Sequence, residues 1–385
     1  LIRKAVEQRA SDIHLEPEAA GLRVRFRIDG LLRYVISFPG DIQPEIISRI
    51  KIMSDMNITE RRLPQDGRLS VMVAGHSVDI RTASLPTIGG EKLVMRILDR
   101  RAILRNVKAL GFSKQNLAKY HLLYNRPAGM ILVTGPTGSG KTTTLYATLA
   151  ELNNGDRNLV TIEDPVEYRI KGVNQVPVNS RVGLNFANGL RSLLRQDPDI
   201  IMVGEIRDSE TATIAVRAAL TGRLVFSTIH TGGAAGALTR LIDMGVEPFL
   251  IASAVTGIVG QRLVRTICPQ CRYQYYLTAS DREYGLLNLE PGLDITLYRG
   301  EGCSFCHGTG YVGRLAVQEV MEISPAVHAA IKQKVTTKDL ANIARREGMR
   351  TMLEDGIDKA LQGLTTVDEI IKLAFDEQPR EPVHD

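Results

Sequence analysis

The chain has 385 residues, 44% hydrophobic and 24% charged, a globular balance with more residues than one ordinary core takes up. No apolar run reaches the roughly 20 residues of a membrane-spanning helix; the longest, PFLIASAVTGIVG (248–260), is soon followed by Arg262 and Arg265. The net charge of +5 is uneven, with 22 Lys and Arg against 13 Asp and Glu over residues 1–126, a front suited to phosphates, an anionic surface, nucleic acid or plain solvent.

The start, LIRKAVEQRASDIH, is charged and does not read as a secretory leader. It opens on Leu1 without methionine, as expected of a piece of a longer protein. Residues 1–100 read as an α+β domain. In LRVRFRIDG (22–30), Leu22, Val24, Phe26 and Ile28 alternate with Arg23, Arg25 and Arg27, the period of a half-buried strand. LLRYVISF (31–38) suits the next strand, and QPEIISRIKIMSDM (43–56) a helix with Pro44 near its start. RLSVMVAGHSVDIRTASL (68–85) gives two strands around Gly75, and EKLVMRIL (91–98) another. Residues 101–112 read as a linker.

From 113 the pattern changes. A helix (113–124) precedes the apolar strand GMILVTG (129–135), a glycine-rich turn and the helix KTTTLYATLAEL (141–152). NLVTIED (158–164), DIIMVGE (199–205) and RLVFSTIH (223–230) are short apolar runs, each ending in polar residues and separated by helical stretches. Strand–helix alternation of this kind predicts an α/β fold, a parallel sheet covered by helices. VGQRLVRTI (259–267) and most of 309–376 read as helical, and the polar tail 376–385 as disordered.

GPTGSGKT (135–142) matches G-x-x-x-x-G-K-[ST] between a strand and a helix, the context that makes it a phosphate loop. Gly135, Pro136, Thr137, Gly138, Ser139, Gly140, Lys141, Thr142 and Thr143 are the predicted nucleotide-binding segment, with successive N–H groups and the helix dipole facing the phosphates. Lys141 is expected to reach the β- and γ-phosphates of ATP and Thr142 to ligate Mg²⁺. Hydrolysis also needs an acid to support magnesium and a base for water. Glu163, with Asp164 beside it, Glu205 and His230 end three of the predicted strands, where such groups gather in sheets of this type.

All four cysteines lie in CPQC (268–271) and CSFC (303–306). Two Cys-x-x-Cys hooks suit four-thiolate zinc by Cys268, Cys271, Cys303 and Cys306, with a small subdomain looping out between them. A dithiol redox pair and four inert buried thiols are the competing readings. The zinc reading has the better physical footing, because a redox pair needs a thioredoxin-like context and chance rarely pairs cysteines twice.

ASDIHLEP (10–17), RRLPQDGR (61–68), GPTGSGKTTTLYATL (135–149), TIEDPVEY (161–168), LLRQDPDIIMVGEIRDSET (193–211), TGRLVFSTIHT (221–231) and LEDGIDKALQGLTTVDEII (353–371) together resemble the secretion ATPase superfamily of type IV pilus assembly and type II secretion. The resemblance implies a RecA-like P-loop ATPase domain over 113–385, with a zinc subdomain at 266–308, behind a PAS-like N-terminal domain. It implies Glu163 as general base, Glu205 as support for Mg²⁺ and its water, and His230 as a γ-phosphate sensor. Gly204 stands where most P-loop proteins place an aspartate, which leaves the two glutamates' roles open to exchange. Arg81 and Arg96 match arginines that the family's N-terminal domain presents to nucleotide phosphates. The family implies a cytoplasmic homo-hexamer at the bacterial inner membrane, acting on a platform protein to add pilins, with no direct nucleic-acid partner. Its extension and secretion members often carry the four cysteines, and its retraction members lack them.

Overall fold

The computed structural model describes residues 1–98, 106–277 and 295–377. Part of the predicted linker (101–112), most of the predicted disordered tail and the middle of the predicted loop between the cysteine hooks lie outside them. The chain divides into two compact units, Leu1–Leu104 and Arg105–Asp385.

The first unit is one sheet of six strands, β1 (Asp12–Glu18), β2 (Gly21–Ile28), β3 (Leu31–Phe38), β4 (Gln65–Val73), β5 (His76–Thr87) and β6 (Gly90–Leu98). Their order is β3-β2-β1-β6-β5-β4, with every neighbouring pair antiparallel. Period-two alternation sends Ile13, Leu15, Val24, Phe26, Leu93, Met95 and Ile80 into one core. Helices α1 (Ile2–Glu7) and α2 (Gln43–Met53) close that core with Ala5, Ile47 and Ile50. Lys51 of α2 is buried and pairs with Glu91 of β6 at 2.7 Å, so the cation is compensated where it is desolvated.

The second unit is built on seven strands ordered β15-β12-β7-β11-β10-β8-β9. They are β7 (Gly129–Thr134), β8 (Leu159–Glu163), β9 (Asn174–Pro177), β10 (Ile200–Val203), β11 (Leu224–Ile229), β12 (Val255–Ile267) and β15 (Tyr311–Glu322). All pairings are parallel except β12 with β15. Along β7, Met130 and Leu132 join one core and Ile131 and Val133 another, so both faces of the sheet are buried. The second core holds side chains of α3 (Lys114–Tyr124) and α4 (Lys141–Leu152). The first holds those of α5 (Phe186–Leu193), α6 (Ser209–Leu220), α7 (Ala234–Asp243), α8 (Pro248–Ala254), α9 (Pro325–Lys332) and α10 (Thr337–Arg346). A smaller core joins β12 and β15 to α11 (Met352–Leu361) and α12 (Val367–Glu377). A two-stranded ribbon, β13 (Arg272–Leu277) with β14 (Ile295–Gly300), lies between the cysteine hooks in sequence. Among the described residues no helix is long and apolar enough to cross a membrane.

Two expectations are corrected. VGQRLVRTI is the last nine of the 13 residues of strand β12, not a helix, and 311–322 is strand β15 rather than part of a helical region. Apolar pairs such as Ile258–Val259 and Leu263–Val264 mimic helical spacing. Pairing with β7 on one side and β15 on the other overrides it, and Gly257 and Gly260 carry no helix propensity. After β15 the chain is helical only from Pro325.

Candidate nucleotide and metal sites

Strand β7 is buried throughout and delivers Gly135–Gly140 to the N-terminus of α4. Gly140 is the cap of that helix at φ 87°, a left-handed conformation that favours glycine, and no side chain caps the first turn. Its leading N–H groups are therefore left for an anion. Lys141 folds over the loop, donating to Gly135 O at 2.8 Å and Pro136 O at 3.0 Å. Burial pulls its ammonium down to about 8, and the nearby charge of Glu205 opposes the shift. Pro136, Thr137, Gly138 and Thr142 are exposed, Thr143 is half-buried, and the buried Ser139 Oγ has no hydrogen-bond partner. An uncapped helix start, a cation and an orphaned hydroxyl fit a polyphosphate. Thr142 would hold its magnesium.

The strand ends place the predicted acids differently from one another. Glu163 is 3% exposed and closed in by donors. Tyr146 of α4 bonds its Oε2, while Thr161 Oγ1 at 2.5 Å and Gln175 Nε2 at 3.1 Å bond its Oε1. Glu205, beyond β10, faces the charged cluster instead. Its Oε1 meets Arg207 Nη2 at 2.5 Å, and its Oε2 lies 3.6 Å from His230 Nε2. Burial, then the neighbouring Lys141 charge, lowers the His230 pKa, which favours the neutral ring. Lys141, Glu205 and His230 thus come together, with Glu163 set behind a shell of hydrogen bonds.

The contacts of Arg207, Tyr146, Gln175 and Thr161 were not foreseen. Arg207 carries a signal, a cation two residues past a strand-end glutamate, whereas Tyr146 and Gln175 carry none. Gly204 has a packing reason: a Cβ there would sit 3.3 Å from Glu163 Cα and from Ile162 O, where β8 and β10 converge. An aspartate would crowd that junction. The loop after β11 is fixed by Thr134 Oγ1, 2.6 Å from Thr231 Oγ1, and the end of β11 by Thr228 Oγ1 donating to Gly204 O at 2.7 Å.

In the first unit, Arg81 and Arg96 are direct partners across β5 and β6. Register extends the row through Arg68 on one side and through Asp12 to Arg27 on the other. Arg96 Nε donates to Asp12 Oδ1 at 3.0 Å. Arg25 binds Glu16 in a two-pronged bond at 2.7 and 2.8 Å, which marks it as structural. The bond from Arg25, with Lys92 also adjacent, holds the Glu16 carboxyl down at about 2.

The four cysteine sulfurs lie within 4.8 Å of one another. Sγ separations of 3.9 Å (Cys268–Cys303), 3.8 Å (Cys271–Cys306) and 3.8 Å (Cys303–Cys306) are far beyond a disulfide bond. They match the edge of about 3.8 Å expected for a tetrahedron with zinc–sulfur bonds of about 2.3 Å. Gly302 N donates to Cys271 Sγ, and Cys303 N and Gly310 N to Cys306 Sγ, at 3.1–3.3 Å. Burial opposes ionisation of Cys306, but these N–H donors prevail and bring its thiol down to about 6. Gly310, at φ 74°, lies so close to Gly300 that a Cβ would fall 2.4 Å from Gly300 O. One cluster of four converging thiols fits a single thiophilic ion and not two separate dithiols.

Residues 1–372 match the family model described as "Type II/IV secretion system protein". The type II secretion system protein E of Pseudomonas aeruginosa is 46% identical over 98% of this chain and 74% of its own length. The type IV pilus assembly ATPase PilB of Thermus thermophilus is 48% identical over 96% of this chain and 42% of its own. Among solved structures, the pilus retraction motor PilT with bound ADP superposes with a TM-score of 0.68 at 29% identity, covering 99% of this chain and 96% of that one. The ATPase DotB of Legionella pneumophila shares the fold at a TM-score of 0.72 and 20% identity, covering 97% and 94%. A phosphate loop followed by three polar strand ends, in a chain matched by the family model almost from end to end, places this protein in the type II/IV secretion system family of ATPases.

Proposed function

We propose that this ATPase works as a homo-hexamer at the cytoplasmic face of a bacterial inner membrane, where ATP hydrolysis drives type IV pilus assembly through a platform protein. The convergence of Lys141, Glu205, Arg207 and His230 beside the phosphate loop carries the reading, because it gathers the charges that phosphoryl transfer needs. In this reading 113–385 is a RecA-like motor domain and 1–100 a PAS-like domain whose Arg81 and Arg96 meet nucleotide phosphates. Thr142 and Glu205 support magnesium, His230 reports the terminal phosphate and Glu163 is the general base. The shell of donors around Glu163 keeps the exchanged assignment, with Glu205 as base, in play. Cys268, Cys271, Cys303 and Cys306 hold one zinc, the feature that favours extension over retraction.

Assembly of a type II secretion pseudopilus is the second reading. It is favoured by the Pseudomonas relative, of which this chain spans 74% against 42% of the Thermus pilus ATPase. Deletion in the host separates the two: loss of surface pili supports the first, and loss of secreted enzymes with pili intact the second. ATPase activity stimulated by nucleic acid, with a steep salt dependence, would overturn both in favour of a translocase.

A further inference from the structure

Gln261 sits in the middle of β12 with 2% of its surface exposed. Its side-chain Nε2 donates to Ser139 O at 2.7 Å. Its Oε1 accepts from Thr144 Oγ1 of α4 at 2.8 Å and from Gln318 Nε2 of β15 at 3.3 Å. The Ser139 carbonyl can only accept, so it fixes which way the amide points, with the NH₂ toward the loop. The same residue bounds the loop at both ends: a Cβ on Gly135 would fall 2.3 Å from Gln261 O, and one on Gly140 2.8 Å from its Nε2.

We propose that Gln261 is the positioning residue of the phosphate loop. A trans peptide is planar, so its C=O and N–H point in opposite directions. Holding the Ser139 carbonyl toward β12 turns the Gly140 N–H away from β12, toward the side where phosphate is received. Without that donor the carbonyl is free to rotate inward, where it would repel an anion. Gln318 backs this arrangement from the next strand. Asn116 Nδ2 donates to Gln318 O at 2.8 Å, and Gln318 N donates to the buried Asp355 Oδ2 at 2.9 Å. Lys359 pairs with that Asp355 at 2.5 Å. The loop and α4 are thus braced by one side chain that comes 122 residues along the chain from Ser139 and 117 from Thr144.

The role rests on reading 135–142 as the ATP phosphate loop. The test compares two neutral, near-isosteric variants of the full, metal-loaded chain, Gln261→Met and Gln318→Met. Gln261→Met removes the donor to Ser139 O, whereas Gln318→Met removes only a second, longer donor to Gln261 Oε1, which keeps Thr144. Gln261→Met is expected to raise the Kd and KM for ATP about tenfold, equal to about 1.4 kcal/mol, with kcat changed less than about threefold. Gln318→Met alters packing on the neighbouring strand and is expected to hold the Kd within about twofold whatever its melting temperature. ATP affinity that falls in step with melting temperature in both variants, or that survives in Gln261→Met, would overturn the proposal. A wild-type chain that binds no ATP would overturn the phosphate-loop reading itself.

Discussion

Tyr146 donates its phenolic hydroxyl to Glu163, so the helix that starts at Lys141 grips the carboxylate that ends β8. Burial, with the charge of Glu163 beside it, pushes the Tyr146 hydroxyl well above its ordinary pKa, and it stays a donor at any physiological pH. In the role of base proposed for it, Glu163 is oriented before substrate arrives. Glu163→Gln is expected to lower kcat about 10²- to 10⁴-fold with ATP binding retained, and Tyr146→Phe about three- to tenfold. Steady-state turnover paired with nucleotide titration checks both. Unchanged turnover in Glu163→Gln would pass the base role to Glu205.

The lowered Lys141 ammonium gives a pH signature. Lys141 is charged below about pH 8 and loses its proton as pH rises through that value. ATP is an anion and binds the charged form, so kcat/KM should fall above about pH 8. That ratio reports groups of the free enzyme, whereas bound phosphates hold the proton on, so kcat alone should bend at higher pH. Glu205 attracts this ammonium and raises its pKa. Removing that charge in Glu205→Gln should move the break in kcat/KM to lower pH. A break that stays put would mean that another group controls the profile.

How far the sequence could be read follows from where each group finds its partner. The buried strands β7, β8, β10 and β11 are short apolar runs, legible because a strand covered on both faces needs no polar alternation. The phosphate loop and the cysteine hooks are local in sequence, and their spacing is their signal. Strands β12 and β15 hid because they bear Gln261, Gln318 and Glu319, polar side chains on buried strands. Gln261 finds Ser139 and Thr144, Gln318 finds Gln261, and Glu319 finds the N–H groups of Ala234 and Met352, all far off in the chain, so no local pattern announces them. Gln175 reaches Glu163 across 12 residues that join β8 to β9, a link that no periodicity marks. Strand β1 alternates Ile13 and Leu15 with Asp12, His14 and Glu16 over so few residues that its period passes unremarked.

The thiol cluster predicts about one zinc per chain on metal analysis of purified protein. Its sulfurs tie the end of β12, at Cys268, to the turn before β15, at Cys306, so the ion would clamp the far end of that strand pair. Cys306→Ser removes the ligand that takes two backbone N–H bonds. It is expected to lose the metal and melt at a lower temperature, because binding energy at a structural zinc is folding energy. Chelation of the wild type should reproduce the shift. Metal-free protein that melts and turns over like wild type would exclude a structural ion.

Glu319 offers the sharpest test of how the C-terminal helices are joined to the motor. Its carboxylate is 6% exposed and accepts from Ala234 N at 2.6 Å and from Met352 N at 3.3 Å. These are the first residues of α7, which follows the His230 loop, and of α11. One buried carboxyl group thus serves two helix starts, each of which favours negative charge. The first has no other side-chain cap, while Thr351 and Glu354 form a capping box on the second. Glycines make the room: a Cβ at Gly260 would lie 2.7 Å from Glu319 Cγ, and one at Gly233 2.9 Å from its Oε1. Glu319→Ala leaves two buried N–H groups without this acceptor, at about 1–3 kcal/mol each, so a loss of about 2–6 kcal/mol is expected. Glu319→Gln keeps the shape and one carbonyl oxygen but turns an NH₂ on the second donor, and it should fall between the two. Melting temperatures in the order Glu, Gln, Ala would support a charged double cap. A glutamine variant as stable as wild type would show that shape alone holds the two helices.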